Sequence, residues 1–214
     1  WNFPAYNPSR AWSAALAAGC TLVTKGSEFT AMTTNNIVNA LIEAGVPAGA
    51  VNNINGDAAS IGDELLSNYA VKKISFTGST RVGKILMDGA SRTNTKLTLE
   101  LGGNAPVIIG ADVDVDVMAK SAVFAKVRNA GQVCISPQRF FIHDKIFDHF
   151  TDAAKANLQK LKVGNGLNAE TNMGPLINQR QQQQVLSIID EAKRSGATTT
   201  ATNIDTEKGW FVSP

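Results

Sequence analysis

Cys134 lies in Asn129-Ala130-Gly131-Gln132-Val133-Cys134-Ile135-Ser136, a run of small and amide-bearing residues. A thiol on a glycine-bearing turn can stand clear of side-chain bulk and meet an electrophile, which a nucleophile requires. The competing reading is a buried, inert cysteine, because free cysteine is among the most buried residue types. No second cysteine or close histidine accompanies it, so its surroundings do not make a metal site. Glu100 ends the apolar run Leu97-Thr98-Leu99-Glu100-Leu101, ahead of Gly102-Gly103. A carboxylate flanked by leucines is costly to bury ionised, so it is paired, faces a cleft, or becomes a base poised near neutrality. A strand-end glutamate facing water is the plainer alternative.

Two further stretches suit a nucleotide. Gly78-Ser79-Thr80-Arg81-Val82-Gly83 separates a strand pattern from a helix pattern. Glycines there let backbone N–H groups at a helix N-terminus approach a pyrophosphate. The spacing is neither the dinucleotide fingerprint nor a Walker A loop, so a tight strand-to-helix turn explains it equally. Lys25-Gly26-Ser27-Glu28 leaves an earlier strand, expected in the same sheet, at the carboxyl end where ligands of open parallel sheets bind. A carboxylate there can accept from both ribose hydroxyls and would repel a 2′-phosphate; otherwise the loop is simply solvated. His143 and His149, among Asp144, Lys145 and Asp148, lack metal-site spacing and read as surface residues. Cys20, after Ala17-Ala18-Gly19, reads as packing.

These residues need a scaffold, and the composition supplies one. The chain has 214 residues, 43% hydrophobic and 18% charged, as in a globular protein with a sizeable core. A net charge of +2 without a basic run gives nucleic acid or a membrane surface no electrostatic footing. No apolar stretch approaches the roughly 18 residues of a membrane span, and no signal peptide is expected. Two cysteines far apart make no disulfide framework, so a reducing, cytoplasmic setting is expected. The chain starts Trp1-Asn2-Phe3-Pro4 and stops at Ser213-Pro214, and is expected to be an excerpt of a longer protein.

Periodicity predicts helices over Pro4–Ala18, Thr30–Ala44, near Ser60–Ser67 and over Ser79–Ala90. They alternate with strands at Thr21–Thr24, Val51–Ile54, Ile74–Phe76 and Lys96–Leu101. Four such rounds argue an α/β fold, a Rossmann-like parallel sheet with helices on both faces. After Gly102-Gly103 the alternation restarts. Strands are expected at Pro106–Ile109, Arg139–Ile142, Ala197–Ala201 and Trp210–Ser213, and helices over Val115–Arg128, Ile146–Leu161 and Asn178–Arg194. The glutamine run from Gln181 falls in the last helix and is expected to be its exposed face. The domain reading is 1–101 and 102–214.

Taken together, WNFP at Trp1–Pro4, Lys25 with Glu28, FTGSTRVG at Phe76–Gly83, LELGG at Leu99–Gly103 and GQVC at Gly131–Cys134 resemble the aldehyde dehydrogenase superfamily. The resemblance covers the whole chain, and five motifs in order are far more specific than any one. It implies that residues 1–101 are the C-terminal part of an NAD-binding domain and 102–214 the N-terminal part of a catalytic domain. It implies that Cys134 attacks the aldehyde carbon and that Glu100 activates water against the resulting thioester. The oxyanion would be held by the Asn2 amide and the Cys134 backbone N–H. Gly78, Ser79 and Gly83 would line the pyrophosphate site, Lys25 and Glu28 would hold the adenine ribose, and Thr77 and Leu101 would lie near the nicotinamide. Glu28 favours NAD, with NADP the alternative.

Family members often carry Pro where Gly26 stands, a change expected to loosen the turn. Asn104 after the double glycine, and Gln138-Arg139 after the cysteine, are similar to the succinate-semialdehyde dehydrogenase branch. Arg10 and Arg128 match positions where that branch binds the substrate's distal carboxylate, for which an arginine fork is suited. Without that role, Arg128 ends its helix favourably and Arg10 is a solvated helix residue. The implied substrate is an ω-semialdehyde acid such as succinate semialdehyde. Other readings are another semialdehyde, an aliphatic aldehyde, a CoA-acylating enzyme (against which Glu100 argues) or a non-catalytic nucleotide-binding piece. The resemblance also implies further segments on both sides, a homodimeric or homotetrameric parent, and little activity for this chain alone.

Overall fold

The computed structural model describes residues 1–201, 204 and 208–214. The chain divides into two compact units, Trp1–Gly102 and Gly103–Pro214. In the first, α1 (Tyr6–Ala17), β1 (Leu22–Lys25), α2 (Ala31–Glu43) and β2 (Val51–Ile54) are followed by α3 (Ala58–Ser67), β3 (Lys73–Gly78), α4 (Thr80–Thr93) and β4 (Lys96–Leu101). The second contains β5 (Ala105–Ile109), α5 (Val115–Val127), β6 (Pro137–Ile142), α6 (Phe147–Gln159) and α7 (Gln179–Arg194). The fold is α/β with parallel strands.

Helix starts are fixed by side-chain caps that satisfy orphan backbone donors. Asp57 accepts from Ser60 N–H, Ser79 from Val82 N–H, Asp114 from Val117 N–H and Asn178 from Gln181 N–H. At the other end of α4, Asn94 takes the left-handed conformation (φ 56°) that lets a helix stop, a role asparagine tolerates better than most residues.

Three strand–helix–strand units each close a parallel pair: β1 with β2, β3 with β4, and β5 with β6. Among the described residues the strands hydrogen-bond only in these twos. The strand that leads to Lys25 is therefore not laddered into the sheet that carries Gly78, contrary to expectation. A crossover helix brings consecutive strands together, but nothing local to a four-residue strand dictates its second neighbour. Each unit buries its helices' apolar faces against its strands. Trp12, Val38 and Val51 form one cluster, and Leu66, Ile74, Leu86 and Ala90 another. In the second unit Ile109, Val115, Ala119 and Phe150 hold α5 and α6 on β5, while Val123, Val127 and Met173 extend that core.

Four other expectations are corrected. Ala197–Ala201 and Trp210–Ser213 are not strands. The first segment is exposed and has no ladder partner among the described residues. The second makes single contacts, Leu176 N–H to Trp210 O at 2.8 Å and Gln182 Nε2 to Phe211 O at 2.7 Å. That last bond makes Gln182 half-buried, so the glutamine run is an exposed face only at Gln183 and Gln184. Cys20 is exposed and not packed, because it follows the end of α1 on the turn made by Gly19 (φ 74°). No helix of the described residues is long and apolar enough to cross a membrane.

Candidate active site

Within the first unit the ends of β1, β3 and β4 carry the predicted residues. In the parallel register Thr77 faces Glu100 and Gly78 faces Leu101, so the candidate base and the candidate cofactor turn share one end of one strand pair. The chain then turns into α4, where Thr77, Gly78, Ser79 and Thr80 are all exposed. A helix of 14 residues begins there, and its N-terminal backbone donors and dipole favour an anion. Gly83, one turn into that helix, is buried. A Cβ at this position would lie 2.9 Å from Leu101 Cδ2, so glycine lets α4 close on β4 without displacing the Leu101 side chain.

At the end of β1, Lys25 Nζ donates to Glu28 Oε2 at 3.1 Å. The Glu28 carboxyl is held below the ordinary glutamate range, first by its own backbone N–H and then by Lys25. Gly26 between them lies close against α2. A Cβ there would meet Thr34 Oγ1 at 2.5 Å, and Thr34 is buried on α2. The glycine is what allows the loop to seat on that helix.

Asn2 Oδ1 accepts from Phe3 N–H at 3.1 Å and from Asn7 Nδ2 at 3.2 Å. These contacts orient the amide so that Nδ2 is its donor end. Arg10, on α1, pairs with Glu100: Nη2 to Oε1 is 2.7 Å, with both side chains about half exposed. Two residues assigned to separate tasks on sequence grounds are thus direct partners.

In the second unit, α5 ends at Val127 and Arg128–Gly131 forms a tight turn. Asn129 (φ 50°), Ala130 (φ 54°) and Gly131 (φ 75°) are left-handed in succession. Such backbone is sterically costly for L-residues other than glycine and occurs where surrounding contacts enforce it. Here Gln132 supplies them. Its backbone N–H and its Nε2 both donate to Asn129 O, at 3.1 and 3.0 Å, and its Oε1 accepts from Ile177 N–H at 2.9 Å. Beyond this turn Cys134 is exposed, on a segment closed by Ser136 N–H donating to Val133 O at 3.0 Å. The thiol is accessible, as a nucleophile requires. Arg128 is exposed at the head of the same turn.

The pattern reading missed Gln132 as a clamp, because its partner at Ile177 is remote in sequence. It also missed what Asn104 and Gln138-Arg139 do. Arg139 Nη2 donates to Asn104 O at 3.2 Å, and its guanidinium lies 5.7 Å from the Phe141 ring centroid. Gln138 Oε1 accepts from Lys126 Nζ at 2.9 Å, and burial lowers the Lys126 pKa. These residues tie the start of β5 and the end of α5 to β6, the strand that leaves the cysteine turn. His143 and His149 are exposed, the latter 3.1 Å from Asp116 Oδ1. No group of three potential metal ligands exists among the described residues.

An exposed thiol stands on a strained turn, and a strand pair ends in a carboxylate beside a glycine-bearing helix start. This chain belongs to the aldehyde dehydrogenase family, whose model matches residues 1–214. It is 47% identical over 197 residues to the mitochondrial succinate-semialdehyde dehydrogenase of Oryza sativa subsp. japonica, covering 92% of this chain and 37% of that protein. It is 41% identical to the succinate-semialdehyde dehydrogenase [NADP(+)] GabD of Escherichia coli K12, over 92% of this chain and 41% of the other. The crystal structure of succinate-semialdehyde dehydrogenase from Burkholderia pseudomallei superposes with a TM-score of 0.96 at 42% identity, covering all of this chain and 45% of that one. The chain therefore spans less than half the length of these relatives.

Proposed function

We propose that the protein carrying this chain oxidises an ω-semialdehyde acid, such as succinate semialdehyde, to the dicarboxylic acid. The observation that carries the reading is Cys134, exposed beyond a left-handed turn that Gln132 braces. The Cys134 thiolate adds to the aldehyde carbon: a C–S bond forms and the carbonyl π pair moves onto oxygen. The Asn2 amide and the Cys134 backbone N–H stabilise that oxyanion. An NAD held by Lys25, Glu28 and the Gly78–Gly83 turn would supply the hydride acceptor for this carbon, whose C=O bond re-forms as a thioester on Cys134. Glu100 then takes a proton from water as the water oxygen bonds to the thioester carbon. The C–S bond breaks, the thiolate is restored and the acid leaves.

The residues present suit that cofactor. The exposed backbone at Gly78 and Ser79 and the start of α4 fit a pyrophosphate, with Gly83 allowing α4 to approach Leu101. Lys25 and Glu28, held together at 3.1 Å, fit the adenine ribose, and Thr77 and Leu101 are assigned to the nicotinamide end. The charge on Glu28 favours NAD, although the Escherichia coli relative is named for NADP(+). Arg10 and Arg128 are assigned to the distal carboxylate. The first unit is read as part of the cofactor domain and the second as part of the catalytic domain. Two unbridged, exposed cysteines support a reducing compartment, read as the cytoplasm. Assembly into a homodimer or homotetramer would help cover exposed apolar side chains such as Phe124 and Ile108.

The test is NADH formation by the full-length protein with a panel of semialdehydes and neutral aldehydes. Cys134→Ala is expected to abolish it. Arg10→Ala and Arg128→Ala are expected to raise the KM for succinate semialdehyde, and an unchanged KM in both variants would overturn the substrate assignment.

A further inference from the structure

We propose that Arg10 holds Glu100 in an ion pair until the distal carboxylate of the substrate takes the guanidinium, so that binding of the semialdehyde itself releases the base. The proposal rests on the reading just given, in which Arg10 serves the substrate carboxylate and Glu100 the deacylation step.

The geometry has the properties of an exchangeable pair. Nη2 of Arg10 lies 2.7 Å from Oε1 of Glu100, an ion pair. It is made through one nitrogen and one oxygen, so the fork that could grip a carboxylate with two parallel N–H bonds is only partly used. The side chains are 50% and 44% exposed, so solvent screens the pair and a competing anion can reach it. Among the described residues Arg10 is the side-chain partner of Glu100. Arg10 is carried by α1 and Glu100 by the last turn of β4 before Gly102, so either side chain can swing without moving its element. A second carboxylate arriving at Arg10 repels the first and offers two oxygens against one.

The chemical consequence concerns the second half of the reaction. Water can attack the thioester only while a carboxylate receives its proton, after which the C–S bond breaks and the thiolate leaves. With Oε1 anchored to Arg10, Glu100 is held towards α1. Once the substrate's own carboxylate occupies Arg10, both oxygens of Glu100 are available to water. An aldehyde lacking a distal carboxylate leaves the pair closed, so its acyl-enzyme forms and then hydrolyses slowly. Chain selectivity is thereby exerted on deacylation as well as on binding.

The experiment compares succinate semialdehyde with butanal in the full-length protein, by rapid mixing that separates the NADH burst from the steady state. The expected result is a burst with both aldehydes and a steady rate at least about ten-fold slower for butanal. Arg10→Gln should raise the butanal steady rate several-fold while raising the KM for succinate semialdehyde. Arg10→Lys, which keeps the charge, should leave butanal slow. In the unsubstituted protein, added acetate should accelerate hydrolysis of the acyl-enzyme formed from propanal, and this effect should vanish in Arg10→Gln. An intact burst with an Arg10→Gln butanal rate equal to or below the original overturns the proposal while leaving the dehydrogenase reading intact, as does the absence of any acetate effect. No NADH formation from either aldehyde overturns both.

Discussion

The side-chain oxygen of Gln132 accepts the backbone N–H of Ile177 at 2.9 Å, while the nitrogen of the same amide donates to Asn129 O at 3.0 Å. One amide thus braces the left-handed turn before Cys134 and pins a loop more than forty residues away against it. The thiol's position depends on a contact that no local pattern announces.

Gln132→Ala should therefore act on chemistry more than on binding. It leaves the half-buried Ile177 N–H without its acceptor, a loss of about 1–3 kcal/mol, and frees a backbone that is strained at Asn129 and Ala130. The expected outcome is a kcat at least about ten-fold lower with KM little changed, together with slower alkylation of Cys134 by iodoacetamide. Thermal denaturation reports the stability loss separately. Alkylation at the original rate would remove the bracing role.

Ser136 makes a converse case. It is only 2% exposed, and its hydroxyl has no hydrogen-bond partner among the described residues. A buried, unpaired hydroxyl costs folding free energy. Ser136→Ala should raise stability by about 1 kcal/mol, read as a higher denaturant midpoint at unchanged slope.

The Gly26 loop is seated on Thr34 by lack of a side chain. Gly26→Ala forces overlap with Thr34 Oγ1 and should cost about 1–3 kcal/mol. Adding Thr34→Ala should recover part of that cost, because the nearest clashing atom goes. A double-mutant cycle measures the coupling, and additive effects would show that the two residues do not meet.

Glu28 tests the cofactor assignment. Its carboxyl titrates below the ordinary value of 4.5, so it stays ionised throughout the neutral range. The stability it gains from its own backbone N–H and Lys25 is present above that ordinary value and fades only as pH falls through the lowered one. Discrimination against NADP should accordingly be flat across neutral pH. Glu28→Gln should narrow the NAD-to-NADP ratio of kcat/KM by about ten-fold, and a preference of the unsubstituted protein for NADP would overturn the assignment.

The sequence by itself determined the α/β alternation and the helices that begin near Ser60, Ser79, Val115 and Asn178. It also singled out Cys134, Glu100 and the Gly78–Gly83 turn as places for chemistry. Those features obey rules that act within one strand, one helix turn or one run of apolar residues, so they can be read without knowing where the chain goes next. Only the tertiary structure decided that Arg10 pairs with Glu100, that Gln132 clamps Ile177, and that Arg139 holds Asn104. Only it decided that Cys20 is exposed and that Ala197–Ala201 makes no strand. In each case the outcome turns on a partner distant in sequence, or on the lack of one. Whether a polar side chain is paired, buried or open to a substrate is settled when distant segments meet.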